Sequence, residues 1–446
     1  MSQQFSLLKE RRFLPFFTTQ FFGAFNDNLY KNALIVLLTF QAANYTTLDT
    51  GILVNLCAGL FILPFFLFSS TAGQLADKFE KSRLIRYTKL LEIFVMLLAV
   101  CAFYFRSLSG MLVCLFLMGA QSSLFGPVKY AILPQHLKEE ELLGGNALVE
   151  SGTFIAILVG TLAGGMLAGW ENGLVWLSII LLSLAALGFL ASCAIPVAPA
   201  AAPELNMNWN PATETWRSLR FISRNRRVFL SILGISWFWF YGAVFLTQLP
   251  AFAKDVLGGN EQLVTVMLAV FSVGVGIGSL LCERLSLRKV EIGLVVTGSI
   301  GLSIFAIDVW WSCRGVAPVG EPLSLATLLT LGSTWRILAD LLLIGMFGGF
   351  FIVPLYTQMQ IRSEMAHRSR VIAGNNIMNA LFMVGAALMG AGLLKLGLSV
   401  PALLLVNAAL NVVVGIYIFR LEPKALPRFI ARLARHVVRM RSGEPR

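Results

Sequence analysis

Long apolar segments follow one another along almost the whole chain, and short polar stretches separate them. A bilayer core about 30 Å thick is crossed by roughly 20 helical residues, so each segment is long enough to span a membrane. The pattern predicts an all-α membrane protein with twelve spanning helices. We expect them at 13–40, 50–76, 84–105, 110–131, 144–168, 173–195, 228–252, 262–283, 290–310, 337–358, 371–395 and 399–420.

The polar stretches differ in charge. Lysine and arginine are concentrated before the first helix and after each even-numbered helix. Basic loops stay in the cytoplasm, so both termini are predicted to be cytoplasmic in a bacterial inner membrane. The longest basic connection, 196–227, separates an N-terminal half (1–195) from a C-terminal half (228–420). The basic tail at 421–446 is expected to lie on the anionic leaflet or to be solvated.

Composition narrows the class of protein. The chain has 446 residues, of which 57% are hydrophobic and only 13% charged, and this excludes an ordinary soluble protein. The net charge of +12 does not indicate a nucleic-acid partner, because the basic residues sit in alternate loops. The six cysteines are scattered without a CxxC pair, and the three histidines do not cluster. We therefore predict no disulfide framework, no metal site and no cofactor.

The two halves resemble each other. A leucine-rich string ending in glycine precedes Pro127 in helix four and Pro354 in helix ten. A Gly-Asn pair then opens the next helix, at 145–146 and at 374–375. Two parallel repeats are typical of a carrier whose halves rock against each other, so the substrate is expected to bind between them.

The connection after helix two reads Gly-Gln-Leu-Ala-Asp-Lys-Phe-Glu-Lys-Ser-Arg from Gly73 to Arg83. It resembles the loop signature of the major facilitator superfamily, although Glu80 replaces the second glycine. Gly73 allows a neighbouring helix to approach closely. Asp77 is placed to pair with a basic residue and to cap a neighbouring helix N-terminus. The predicted conformational latch consists of Gly73, Asp77, Lys78, Lys81 and Arg83.

Charges inside the membrane segments mark candidate function, since they are costly in hydrocarbon. In helix one, Gln20, Asp27 and Lys31 share one face, and Asn28 adds polarity beside them. At about 1.5 Å per residue, Asp27 lies near the middle of the membrane. Asp27 and Lys31 either form an ion pair that fixes packing, or they bind a charged substrate or a coupling ion.

Further polar side chains are predicted to line the same cavity. Lys129 follows a Gly-Pro break in helix four, where it meets an anion or extends to the interface. Glu150 in helix five is placed to accept Lys129 or a cationic ligand. Helix seven supplies aromatic and amide groups that serve either packing or ligand contact. The candidate substrate-binding residues are Asp27, Lys31, Asn28, Gln20, Lys129, Glu150, Asn376, Tyr241 and Gln248.

Four strings carry a more specific resemblance. They begin Gln-Phe-Phe-Gly-Ala-Phe-Asn-Asp-Asn at 20, Phe-Gly-Pro-Val-Lys-Tyr at 125, Gly-Asn-Ala-Leu-Val-Glu at 145 and Gly-Gly-Phe-Phe-Ile-Val-Pro at 348. They are similar to the lysophospholipid transporter family of the major facilitator superfamily. The likeness is greatest to the transporter module that many bacteria fuse to an acyltransferase and an acyl–acyl carrier protein synthetase.

The resemblance implies a monomeric flippase that is not an enzyme. It would move lysophosphatidylethanolamine through membrane lipid to the inner leaflet, where a separate acyltransferase reacylates it. Asp27 matches the acid of the family's helix-one string. The stand-alone type has a base in helix seven, where this chain has Leu246 and Gln248, so the positive partner is expected at Lys31 or Lys129. The alternative is a facilitator for another solute, such as a drug, a sugar or a peptidoglycan fragment.

Overall fold

The computed structural model describes residues 4–41, 45–46, 50–286, 290–314, 323–421 and 424–442. These residues are helical apart from turns, loops and one isolated β-bridge between Gly259 and Leu323. The twelve predicted long helices are all present. They are α1 Leu14–Phe40, α2 Thr50–Lys78, α3 Lys81–Tyr104, α4 Leu108–His136, α5 Glu139–Gly169, α6 Gly173–Cys193, α7 Arg226–Ala251, α8 Glu261–Leu285, α9 Ile292–Ser312, α10 Gly332–Arg362, α11 Arg368–Lys395 and α12 Val400–Leu421.

Ten of the described helices are long and apolar enough to cross a membrane by length and composition. The two long helices outside that set are α1 and α3. Both carry charged side chains within their length: Asp27 and Lys31 in α1, Lys89 and Glu92 in α3. These charged side chains lower the hydropathy of the two helices, although α4 and α5 also carry charged side chains, Lys129 and Glu150.

The long helices form two bundles. In the first, α1 packs on α5 and α6, while α4 packs on α2 and α3. In the second, α10 packs on α8 and α9, α7 on α11, and α9 on α12. One hydrophobic core lies wholly within the first bundle and includes Tyr30, Met96 and Leu181. The other fills the second bundle and continues to the ends of α4 and α5, so the two bundles share apolar contact.

The bundles meet at one end, which we call the terminal face. It is the end at which α1 begins at Leu14 and α2 ends at Lys78. Here α2 packs on α11, and α5 packs on α8 and α10. A Cβ added to Gly73 would lie 2.7 Å from the Cβ of Ala373, so only glycine permits this approach of α2 to α11. Ser151 of α5 donates to the carbonyl of Gly276 in α8 at 2.8 Å.

The N-terminal segment strengthens this closure. A short helix, Gln4–Leu7, lies between the halves. The Gln4 side chain donates to the carbonyl of Leu280 in α8 at 3.0 Å, and its Cβ packs against Gly144 of α5. Arg12 forms two hydrogen bonds of 2.7 Å to the Glu141 carboxylate. The segment before the first spanning helix therefore joins α5 to α8 at the terminal face.

The connection between the halves is ordered by hydrogen bonds to α2 and to the loop after it. Gln74 exchanges two hydrogen bonds with the backbone of Asn208, at 2.7 and 2.9 Å. Glu80 caps α3 and also accepts the Ala198 N–H at 2.8 Å. Burial alone would raise the pKa of Glu80, but these backbone and side-chain hydrogen bonds outweigh it and hold the pKa below its usual range.

Two amphipathic helices accompany the twelve. The linker helix, Pro211–Arg224, buries Ile222 against Gly374 of α11. The C-terminal helix, Ala425–Ser442, places Phe429 against Gly293 at the start of α9, and Arg432 forms an ion pair with Glu291. Both helices rest on the terminal face. Residues 422–423 and 443–446 of the predicted basic tail lie outside the described residues.

Candidate functional site

Asp27 lies where α1 meets α4. The hydroxyl of Ser122 donates to its carboxylate at 2.5 Å. Ser122 also lies 3.3 Å from the side-chain carbonyl of its neighbour Gln121. Asn28, the next residue along α1, turns its amide back to the carbonyl of Ala24 at 2.8 Å and so satisfies itself within the helix. Asp27 is therefore fixed by α4 rather than by its neighbours in sequence.

A buried ion pair in α3 lies beside this group, and the sequence analysis did not identify it. The ammonium of Lys89 is 2.6 Å from the carboxylate of Glu92, and the two side chains are 0% and 3% exposed. Glu92 also accepts the amide groups of Asn26 at 2.9 Å and Gln121 at 3.2 Å. The Lys89 ammonium lies 5.0 Å from the ring of Phe125. The pair is thus enclosed by α1 and α4, and Gln121 links it to Ser122 and Asp27.

Lys31 has a different environment from the one considered in the sequence analysis. Its ammonium lies 5.3 Å from the ring centre of Phe61 in α2, a cation–π contact. In the described part of the chain, no ion pair within 4.0 Å joins Lys31 to Asp27. The carboxylate takes its hydrogen bond from Ser122 instead. Acid and base are one helical turn apart, but each has its own contact on another helix.

Lys129 connects three helices through neutral groups. Its ammonium is 3.1 Å from the hydroxyl of Thr153 in α5, and that hydroxyl donates to the amide oxygen of Gln20 in α1 at 3.0 Å. The sequence analysis considered an ion pair between Lys129 and Glu150, but none is found among the described residues. Glu150 is fully buried and accepts the Tyr130 hydroxyl at 2.5 Å. Lys129 therefore has no carboxylate within ion-pair distance among the described residues.

The hydroxyl that binds Glu150 belongs to a contact between the halves. Tyr130 of α4 stacks on Tyr356 of α10 with ring centres 4.4 Å apart and planes 6° from parallel. Close by, Asn146 donates to Gln360 at 2.6 Å, and Gln360 donates to the carbonyl of Tyr130 at 3.0 Å. These groups fill the space between α4, α5 and α10 on the terminal side of Asp27 and close the path there.

The candidates from the C-terminal half are not gathered around Asp27. The Tyr241 hydroxyl donates to the carbonyl of Leu302 in α9 at 2.9 Å, so this ring packs inside its own half. Gln248 lies near Gly390 of α11. Asn376 approaches Gly126 of α4. A Cβ added to that glycine would lie 2.4 Å from the amide nitrogen of Asn376, and this nitrogen is buried with no hydrogen-bond partner among the described residues. In these contacts, Tyr241 and Gln248 reach only their own half, whereas Asn376 reaches the first bundle.

Two residues in the last turns of α2, Gly73 and Asp77, hold the halves together. Gly73 provides the close approach to α11. Asp77 is fully buried and accepts the Ser369 N–H at 3.0 Å and the Arg370 guanidinium at 3.1 Å. Ser369 and Arg370 lie in the first turn of α11, so Asp77 both caps that helix and forms an ion pair with its base.

Among the described residues, the three basic residues of the predicted latch do not form the direct hydrogen bonds to α11 that Asp77 forms. The Lys78 ammonium donates to the carbonyl of Leu205 in the linker at 2.9 Å. Lys81 is buried, and its ammonium has no hydrogen-bond partner among the described residues. The Arg83 side chain is 75% exposed and lies 3.9 Å from Glu80. The basic partner of Asp77 is thus Arg370, which the sequence analysis placed only in a basic loop.

Comparisons with known proteins agree with this architecture. The sequence pattern described as Major Facilitator Superfamily matches residues 16–319. The "Lysophospholipid transporter LplT" of Klebsiella pneumoniae is 31% identical over 375 residues, which cover 83% of this chain and 84% of that protein. The protein of the same name from Cronobacter sakazakii is 30% identical over 373 residues, with the same coverage.

Solved structures show the same fold at low sequence identity. The transporter FucP in its outward conformation has a TM-score of 0.67 at 14% identity, covering 92% of this chain and 99% of that one. A bacterial homologue of the iron transporter ferroportin in its outward-facing state has a TM-score of 0.63 at 15% identity, with coverage of 90% and 99%. The chain therefore belongs to the Major Facilitator Superfamily and, within it, to the family of the lysophospholipid transporter LplT.

Proposed function

We propose that this protein is a flippase that moves lysophospholipids of the lysophosphatidylethanolamine type across the bacterial inner membrane by alternating access. The observation that carries the proposal is the identity of about 30% to proteins named lysophospholipid transporters over four fifths of the chain. The site adds a chemical argument, because one acid and two bases on α1 and α4 have no ion-pair partner among the described residues.

The headgroup of such a lipid carries an ammonium and a phosphate. Asp27 is the proposed partner of the ammonium, since only the Ser122 hydroxyl is within hydrogen-bond distance of its carboxylate among the described residues. Lys31 or Lys129 is the proposed partner of the phosphate. Lys89 is less suited to that role because Glu92 already neutralises it. Buried charges without a counter-charge are costly and are typical of substrate paths.

The closed terminal face suggests the direction of access. The positive-inside pattern predicts that this face is cytoplasmic. On that orientation we infer an outward-facing conformation, in which the two bundles are joined on the cytoplasmic side of the site. Opening to the cytoplasm then requires the contacts between the halves at this face to break, among them those of Asp77 with Arg370, Tyr130 with Tyr356, and Asn146 with Gln360. A zwitterionic headgroup has no net charge, so its transfer does no work against the membrane voltage.

The remaining parts of the proposal concern partners. The acyl chain would stay in membrane lipid while the headgroup passes between the halves. We propose that the protein works as a monomer without catalysing a reaction itself. An acyltransferase on a separate polypeptide would consume the lysophospholipid at the inner leaflet. Both termini and the linker would then face that enzyme.

A reconstituted flipping assay tests the function. Proteoliposomes would be loaded with labelled lysophosphatidylethanolamine in the outer leaflet, and its arrival in the inner leaflet would be measured with and without an ion gradient. Asp27→Asn keeps the shape of the side chain and removes its charge, so we expect transport to fall at least about tenfold, which corresponds to one lost charge interaction of about 1.4 kcal/mol. Asp255→Asn, at an exposed position after α7, is the matched control.

Two results would contradict different parts of the proposal. If Asp27→Asn flips the lipid as fast as the unchanged protein, the headgroup site is misassigned although the function stands. If the unchanged protein is stabilised by a soluble sugar or drug and does not move lysophospholipid, the protein is a carrier of another class.

A further inference from the structure

A cavity of about 460 Å³ opens on the terminal face, away from the path between the halves. It lies between the end of the linker helix, the start of α7 and the loop from α10 to α11. Its lining includes four arginines, Arg224, Arg226, Arg227 and Arg362. Among the lining residues, all of which the structure describes, Glu364 is the only acid. The cavity therefore has a clear excess of positive charge.

These arginines have no counter-charge of their own. Within the described ranges, no carboxylate lies within 4.0 Å of their guanidinium groups, whereas Arg12 and Arg370 each have one. Arg226 and Arg227 stand in the first turn of α7, which contains no acid. A helix N-terminus already carries positive potential, so two further positive charges there are unfavourable. The positive-inside rule accounts for basic residues on this face, but not for their convergence on one cavity.

The surroundings of the cavity favour a lipid over a freely soluble anion. Phe221 and Val228 add apolar surface to its lining. Nearby on the linker helix, Trp216 is 70% exposed, and Met365 in the loop after α10 is 61% exposed. Tryptophan is enriched where a membrane protein crosses the headgroup layer. Basic pockets between helices on the cytoplasmic side are typical binding sites for anionic lipid headgroups.

We propose that this cavity binds the phosphate of an anionic membrane phospholipid. Guanidinium groups suit this ligand because their parallel N–H donors match phosphate oxygens. The site connects the two halves indirectly. The linker is held to α2 by Gln74 and Asn208, while Arg362 and Glu364 belong to the C-terminal half. A bound lipid would therefore stabilise the closed terminal face. This inference is independent of the lysophospholipid substrate.

Lipid binding to the purified full-length protein tests the site. Diacyl phosphatidylglycerol, diacyl phosphatidylcholine and inorganic phosphate would each be added to the protein in neutral detergent, and affinity and Tm would be measured. Arg226→Gln with Arg227→Gln removes two charges from the cavity. Arg220→Gln with Arg428→Gln removes two exposed charges elsewhere on the same face and is the matched control. We expect phosphatidylglycerol to bind about thirtyfold more weakly to the cavity variant only.

The outcomes separate the alternatives. Equal weakening in both variants, or in neither, would overturn the site, because the binding would then follow overall surface charge. If inorganic phosphate alone stabilises the protein, and this effect disappears only in the cavity variant, the cavity is an anion site. The proposal that its occupant is a lipid would then be overturned. If the double variant does not fold, Arg362→Gln provides the same comparison from the opposite wall of the cavity.

Discussion

Lys89 and Glu92 form an ion pair in the interior of the first bundle, and their mutual dependence can be measured. Both side chains are almost completely inaccessible to solvent. Glu92 receives three donors, from Lys89, Asn26 and Gln121. Lys89→Met removes the charge that compensates Glu92 and leaves the carboxylate with two neutral amides. Removing one partner of a buried pair typically costs about 3–5 kcal/mol.

The double variant Lys89→Met with Glu92→Gln should be much less destabilised. It removes both charges and keeps the shape of each side chain, and a glutamine can still accept the amide of Asn26. Replacing both members of a buried pair is often close to neutral. One imperfect hydrogen bond in the new arrangement costs about 1–2 kcal/mol. We therefore expect the double variant to be about 2–3 kcal/mol more stable than Lys89→Met alone, as coupling between the two positions requires.

A double-mutant cycle would measure this coupling as the free energy of unfolding in mixed micelles titrated with SDS. Arg336→Met is the control, because Arg336 pairs with Asp308 at a half-exposed site and solvent screens that pair. If Lys89→Met is as stable as the unchanged protein, Glu92 is not a buried uncompensated charge in the variant, and the reasoning fails. If the double variant is less stable than Lys89→Met alone, the two residues do not act as a pair.

Two further predictions concern the terminal face. Gly73→Ala should slow transport in the flipping assay, because the new Cβ would lie 2.7 Å from the Cβ of Ala373 and push α2 away from α11. Gly59→Ala in the same helix is the control and should transport normally, because a Cβ added there has no neighbouring atom within 4 Å. Glu80→Gln should lower the Tm at neutral pH. The folded-state pKa of Glu80 lies below the ordinary value of 4.5. The difference in Tm between the two proteins should therefore be complete above pH 4.5 and should vanish as the pH falls through the folded-state pKa. A difference in Tm that does not depend on pH would contradict a stabilising role of the Glu80 carboxylate.

Hydropathy alone predicts the architecture because each spanning helix needs a long apolar segment whatever its partners are. All twelve expected helices occur within a few residues of the predicted positions. The linker helix was missed because prolines dominate the stretch before it. Asn210 and Pro211 are a recognisable helix start, with a cap and an N1 proline, and that signal could have revealed it.

The site was harder to predict because its contacts join distant parts of the chain. Spacing along α1 suggested that Asp27 pairs with Lys31, but Ser122, far away in sequence, supplies the contact instead. The Lys89–Glu92 pair was visible in principle as two opposite charges three residues apart inside an apolar segment. Both residues lie within eight positions of the predicted helix start at 84, and charged residues are common at that depth of a membrane helix. Only the packing of α3 against α1 and α4 shows that they are buried.

The described charges fall into two groups, and the division bears on mechanism. Some are satisfied within the protein, as in the pairs of Lys89 with Glu92 and Asp77 with Arg370. Asp27, Lys31, Lys129 and Glu150 have no ion-pair partner among the described residues, and all four lie in the first bundle, on α1, α4 and α5. Under the proposed function the headgroup would therefore remain bound to the first bundle while the second bundle moves.

Under the same proposal, Lys129 would couple headgroup binding to that movement. Its ammonium lies 5.1 Å from the ring of Tyr130, and this ring stacks on Tyr356 of the opposite half. A phosphate that attracts Lys129 would draw the ammonium away from the ring and remove a contact that stabilises the ring's position. A ligand shifts a conformational equilibrium only through interactions that differ between the states. The stacked tyrosines would provide such a difference under the proposed alternating access, because they join the halves here and would separate when the terminal face opens.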